Sequence, residues 1–328
     1  MQSIHAAISG LKPGAPQVFE NLAVFPLFGG AGADFEYLVL DEALDGGIAS
    51  VTEISEGGSV PELAFENRGP DPVLLLDGEE LVGAKQNRVL NLTILAPPKA
   101  TITIPVTCVE AGRWAWTDRH FRAGARAQYA SLRSRKMSQV SMSLAADGTA
   151  AADQNAVWDD ISAKMRRMNA HSASEAMSDL YEHYHRRLDE FVRAFSAGEG
   201  QVGAVFVVDG EARGVEIFAR PETFSRQFGK LLQSWALDAI ESPSSHGTQA
   251  ERAAAERLLA DVAALEGRSY EAVGLGEDIR LEGEDLGGGA LMVGGHVVHL
   301  CAFRKFSGQS PRERPSRSSR SRAGRNHA

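Results

Sequence analysis

Residues 73–110 read VLLLDGEELVGAKQNRVLNLTILAPPKATITIPVTCVE. Three short apolar runs, 73–76, 88–95 and 101–110, follow one another closely, with the turn Ala96-Pro97-Pro98-Lys99 between the last two. Runs of this length and spacing read as strands of a sandwich or barrel. Alternation then sorts the side chains by face. In 101–110, Ile102, Ile104, Val106 and Cys108 share a face with Glu110, so a carboxylate closes an apolar row. In the preceding run, Gln86 and Arg88 share a face with Leu90, Leu92 and Ile94, while Lys85, Asn87 and Asn91 share the other. Buried charges persist only when paired. An Arg88–Glu110 ion pair is therefore expected, either purely structural or completed by a ligand. Glu79 and Glu80 are adjacent in an extended segment and face opposite ways, so only one can enter a given pocket.

On the N-terminal side, runs at 22–28, 37–40 and 63–65 continue the β pattern, the last closed by the breaker-rich turn 67–72. On the C-terminal side the period changes. Val157, Ile161, Met165 and Met168 recur at helical spacing. Ser172 and Glu175 are spaced as a capping box opening a helix whose stripe runs from Met177 to Phe195. Pro221 is placed to start another helix. Thr248 and Glu251 form a second capping box, with Gly267 closing that helix. Asp209-Gly210 and Gly294-Gly295 sit between apolar runs as hairpin turns. The glycines at 274–276 and 287–289 read as turns, with Glu277 and Asp278 within possible reach of a site.

The expected fold is therefore α+β: a β-rich N-terminal half, sandwich- or barrel-like, followed by a helix-plus-hairpin C-terminal half. The expected organisation is a flexible segment at 1–16, a β-rich half with the candidate site at 17–140, and an α+β half at 141–303 packed on it as one unit. A disordered basic tail at 304–328 completes it. That tail carries eight Lys/Arg against one Glu and almost no apolar residues.

The chain of 328 residues is 43% hydrophobic and 23% charged, as in soluble globular proteins. It lacks a membrane-length apolar run and a secretory-type start. Its two cysteines form no CxxC pair, which fits a reduced, cytoplasmic setting. The net charge is −9. Within this acidic chain, 113–136 is a basic island of seven cations and one acid, with Trp114, Trp116, Phe121 and Tyr129 interleaved. Such a cluster needs either carboxylates from elsewhere or a bound anion. Nucleic acid is expected, if at all, through the basic tail.

Nucleophile-elbow, zinc-protease and P-loop patterns are absent, and the histidine spacings make poor joint metal ligands, so no metal ligands are assigned. The set LLLDGEELVGAKQNRVLN (74–91), IPVTCVEAGRW (104–114), LRSRK (132–136), DQNAVW (153–158), QVGAVF (201–206) and GLGEDIRLEG (274–283) resembles the ARG and rhodanese-phosphatase-superfamily-associated protein domain of bacteria and archaea. The resemblance covers roughly 21–303. It implies association with ADP-ribosylglycohydrolases and phosphatases, hence with NAD-derived or ADP-ribose nucleotides, and brings no catalytic residues with it.

The residues and the resemblance converge on an anionic, ribose-containing ligand. Arg88 and Arg113 offer guanidinium forks for a diphosphate and Lys85 a point charge. Gln86, Asn87 and Asn91 suit ribose hydroxyls and a base edge, and Trp114 a stacked base. Glu79, Glu80 and Glu110 are the candidate catalytic carboxylates, as general base or as ligands for Mg²⁺. Three roles stay open: a nucleotide-binding domain, a carboxylate- or Mg²⁺-assisted hydrolase or transferase, and a non-catalytic scaffold that joins protein partners.

Overall fold

The computed structural model describes residues 2–30, 32–33, 35–55, 61–242 and 251–305. The chain opens with α1 (Gln2–Ser9), β1 (Leu11–Pro13), β2 (Gln17–Phe19) and β3 (Leu22–Gly29). Next come β4 (Leu38–Val39), α2 (Leu40–Asp45), β5 (Ala49–Glu53), β6 (Glu62–Asn67), β7 (Val73–Leu75) and β8 (Glu79–Gly83). The β-rich part ends with β9 (Arg88–Leu90), β10 (Ile94–Ala96), β11 (Ala100–Cys108) and β12 (Phe121–Ala127). Helices α3 (Ala130–Asp147), α4 (Gln154–Arg167), α5 (Met177–His183) and α6 (His185–Ala194) follow. The hairpin β13 (Gln201–Val208) and β14 (Glu211–Phe218) precedes α7 (Pro221–Glu241) and α8 (Arg252–Ala263). The meander β15 (Glu266–Glu271), β16 (Glu277–Glu282), β17 (Leu286–Val293) and β18 (His296–Arg304) closes the fold. The architecture is the α+β one expected, β-rich first and helices with hairpins after.

Six antiparallel strands, in the order β12-β8-β9-β11-β6-β5, make a curled sheet. Its two outer strands meet through the bridge Thr52↔His120, so the sheet closes on itself like a barrel. Alternation explains the interior: Ala49, Val51 and Glu53 of β5 are buried, while Ser50 and Thr52 face outward. The inward residues form one apolar cluster with Leu40 and Ala43 of α2 and Val140 and Leu144 of α3. The run 88–95 is not one strand. It breaks at Asn91–Thr93 into β9, paired with β8 and β11, and β10, which joins the small sheet β10-β7-β4.

The second, nine-stranded sheet has the order β1-β3-β13-β14-β18-β17-β16-β15, with β2 added on β3. β13 is buried at every position because both faces are covered. One face packs Ala23, Phe25 and Leu27 under Ile4 and Ile8 of α1 and Leu258 and Val262 of α8. The other packs Leu22, Val24 and Phe206 against α3–α7. Trp235 of α7 is stacked between Phe206 and Phe303, with ring centroids 5.0 and 5.8 Å away. Residues 2–13, expected to be flexible, instead supply α1 and β1, because Ile4, Ala7 and Ile8 make an apolar stripe that α8 needs covered.

Several local expectations need correction. Glu175 does not cap a helix: α5 begins at Met177, and Glu175 accepts from Ser162 instead. The long stripe 177–195 is two helices parted at Tyr184, whose hydroxyl is drawn to the Met168 carbonyl. Thr248 lies outside the described residues, and Gly267 is in β15, beyond the end of α8 at Ala263. The glycines at 287–289 and the acids Glu277 and Asp278 are in strands, not turns. Both hairpin turns form as expected, with Asp209, Gly210, Gly294 and Gly295 all at positive φ.

The barrel is joined to the sheet by buried ions. Lys136 of α3 holds Asp77 at 2.6 Å, and Arg133 of α3 holds Glu216 of β14 at 2.5 Å while lying 3.5 Å from Asp77. His299 of β18 meets the second Glu216 oxygen at 2.9 Å and Thr93 at 2.9 Å. Gly78 must be glycine here: its φ is +75° and a Cβ would meet the Arg133 side chain at 2.8 Å. Removing one partner strands the others, so Arg133→Ala is expected to destabilise the protein by about 3–5 kcal/mol in urea unfolding. Arg193→Ala, at an exposed ion pair with Asp189, should leave the midpoint unchanged.

Candidate functional site

β8 presents its two glutamates to opposite sides, as alternation requires. Glu79 accepts from the Leu76 N–H at 3.2 Å and from Lys230 of α7 at 2.6 Å. Lys230 also holds Asp41 at 2.6 Å. Burial alone would lower the Lys230 pKa, but the flanking Glu79 and Asp41 outweigh it and raise it. Glu80 points towards the β12 side, where Gly124 lies so close that a Cβ would come within 2.8 Å of the Glu80 Cβ. It is 1% exposed, and burial pushes its carboxyl up to about 7 against the pull of Arg126.

The loop 84–87 is fastened to the loop that follows β11. Arg113 makes a two-pronged pair with Glu110, Nε to Oε1 at 2.9 Å and Nη2 to Oε2 at 2.6 Å. The same guanidinium donates to the Ala84 carbonyl at 2.9 Å and the Asn87 side-chain oxygen at 3.1 Å. Glu110 also accepts the Asn87 backbone N–H at 3.1 Å, and its own carbonyl accepts from Gln86 at 2.8 Å. Burial would raise the Glu110 carboxyl, but Arg113 and the Asn87 N–H hold it below the usual range.

Arg88 is therefore not paired with Glu110. Glu110 lies past the end of β11 and bridges to Ala176, which turns its carboxylate towards Arg113. Arg88, wholly buried, donates to Gln86 at 3.0 Å and lies 3.7 Å from Glu53 of β5. Asn91 is turned elsewhere, donating to the Ala150 carbonyl at 2.9 Å and accepting from Thr107 at 2.6 Å. The structure thus gathers Lys85, Gln86, Asn87, Arg88, Glu110, Arg113 and Trp114, and leaves Glu79, Glu80 and Asn91 in other surroundings.

One residue missed as a site candidate completes the outer face. Trp114 and Trp116 are 49% and 48% exposed, and the Lys85 ammonium lies 5.2 and 5.1 Å from their ring centroids. Two backbone bonds, Ala115 N–H to the Lys85 carbonyl and Thr117 N–H to the Ala84 carbonyl, set this arrangement. The i, i+2 spacing of the tryptophans was the available signal, since alternate residues of an extended segment share a face. The rest of the basic island is largely taken up by carboxylates: Arg126 by Glu182, Arg135 by Asp160, Arg133 and Lys136 as above.

Glu216, His299 and Cys301 place three potential metal-ligand atoms within 4.8 Å of one another. Their surroundings do not fit a cation. One Glu216 oxygen is committed to Arg133 and the other to His299, and burial raises the Cys301 thiol well above its ordinary value. The cluster is a link in the ion network.

The raised Glu80 carboxyl has a pH consequence. Its unfolded pKa is 4.5 and its folded value about 7, so between them the native state binds the extra proton. Its stabilising contribution is complete below the unfolded value and lost as pH rises through the folded one, on the order of 3 kcal/mol. Glu80→Gln is expected to flatten this loss, measured as urea midpoints at about pH 5 and about pH 8. Equal losses in both proteins would count against a buried, titrating Glu80.

No helix among the described residues is long and apolar enough to cross a membrane. No curated protein and no solved structure matches the chain. A family profile, the ARG and Rhodanese-Phosphatase-superfamily-associated Protein domain, matches residues 10–303, from just after α1 to the end of the sheet. The chain belongs to that family.

Proposed function

We propose that this chain is a cytoplasmic binding domain for ADP-ribose-like, NAD-derived phosphorylated nucleotides, which it takes on the Lys85–Trp114–Trp116 face. The observation that carries this reading is the ammonium set between two half-exposed indoles. A base can stack on an indole while the ammonium meets a phosphate, and stacking of this kind contributes about 1–3 kcal/mol per base. Asn87 and Arg113 stiffen the floor beneath. The family's association with ADP-ribosylglycohydrolases agrees with such a ligand.

Binding without chemistry is favoured over hydrolysis or transfer by the state of the carboxylates. Glu79 and Glu110 are committed to Lys230 and Arg113, which leaves neither as an open base or Mg²⁺ ligand. The hydrolase reading rests on Glu80, whose pKa near 7 suits a general acid or base but whose side chain is buried. The scaffold reading is favoured by the pairing of the polar segment with itself.

Thermal unfolding and calorimetric titration with ADP-ribose, NAD, ADP and inorganic phosphate test this. The expected result is saturable binding of ADP-ribose with quenching of tryptophan fluorescence, weakened about tenfold or more in Trp114→Ala and Lys85→Ala. Unchanged affinity in both variants, or no binding of any of the four, would rule the face out. Release of products from the bound nucleotide would favour the hydrolase.

A further inference from the structure

A cleft of about 600 Å³ indents the outer wall of the barrel, within the size range of small-molecule sites. It follows from how the barrel closes. The pairing of β12 with β8 slips between Ala123 and Ala127, and such an irregularity bends a strand. Among the described residues the one backbone bridge across the seam between β5 and β12 is Thr52↔His120, made by the residue just before β12, and the cleft is lined by residues from both sides of it. None of the residues lining it belongs to the Lys85–Trp114–Trp116 face.

The lining is chemically divided. Its apolar part comes from Leu44, Ala49, Ala64 and the largely buried Phe121. Ser50, Thr52 and Thr101, from β5 and β11, line it with hydroxyls. Continuing the antiparallel register from Thr52↔His120 places Arg122 across the seam from Ser50. Arg68 and Glu66 neutralise each other at 2.5 Å, and both contact the Ser50 hydroxyl, so that corner is fixed. Arg122 is different: among the described residues its guanidinium has no hydrogen bond or contact ion pair. The neighbouring Asp118 accepts the backbone N–H groups of Arg119 and His120. At the edge, Asp45 ends α2 as a second acid besides Glu66.

We infer that this seam cleft is a second ligand site, which takes a small hydroxyl-rich organic phosphate of the sugar-phosphate class. Arg122, with His120 beside it, receives the phosphate; a guanidinium fork matches a phosphate edge. The hydroxyl row, which can donate and accept, and the Asp45 carboxylate, which accepts, receive the ligand's own hydroxyls. The apolar lining faces the carbon skeleton.

Calorimetric titration of the full chain at low salt, with ribose 5-phosphate and glucose 6-phosphate against ribose and inorganic phosphate, tests the site. Saturable binding of at least one sugar phosphate, tighter than either fragment, is expected. Arg122→Gln should weaken it about tenfold or more, Thr52→Val less, and Trp114→Ala not at all. The Trp114→Ala arm separates this site from the nucleotide face, so either can fail alone. The inference is overturned if no sugar phosphate binds up to millimolar concentration, if inorganic phosphate binds as tightly, or if Arg122→Gln leaves binding intact.

Discussion

The structure depends on one buried run of charge. Asp77, Lys136, Arg133 and Glu216, with His299 hydrogen-bonded to Glu216, connect the turn before β8, helix α3 and two central strands of the large sheet. Each charge is almost completely removed from water, so each needs its neighbour. Apolar packing alone would let a barrel and a sheet slide against each other. A chain of ions with fixed partners admits one placement, and Thr93 of the barrel, bound to His299, adds a neutral anchor. A parallel cluster, Lys164 with Asp238 and Ser131, ties α3 and α4 to α7 in the same manner.

This arrangement explains why the acidic body contains a basic island. Arg133 and Lys136 fall on the buried side of α3, and their counter-charges come from residues 77 and 216. The helix itself was hidden in the sequence for that reason. Leu132, Met137, Val140 and Leu144 are interrupted by cations and serines, so no clean apolar stripe appears. Two of the cations that seemed to await an anion already have one.

The parts legible in the sequence were those governed by local rules. Both hairpins, the Pro221 start of α7 and the alternation of β11 follow from turn chemistry and period. The polar segment 77–91 lies among buried strands, and Lys85, Gln86, Asn87, Arg113 and Trp114 lie near one another. What the sequence concealed was pairing over distance. Glu53 with Arg88, and Lys230 with Glu79, join residues tens to more than a hundred positions apart. No periodicity records which of many surplus acids a given cation will meet. Nor could it show that the barrel seam, held by the bridge Thr52↔His120, would carry a cleft.

The large sheet also has a consequence for biosynthesis. β3, an apolar strand, pairs with β13, which is made more than half the chain's length later. The barrel, with strands close in sequence, can form on the emerging polypeptide. β3 cannot find its neighbour until residue 208 has appeared, and the outer part of the sheet waits for β18. Contacts this distant slow folding and leave an apolar strand without its partner in the interval. β3 is therefore made well before its central partner, and during that interval a holdase chaperone would find LAVFPLF open to it.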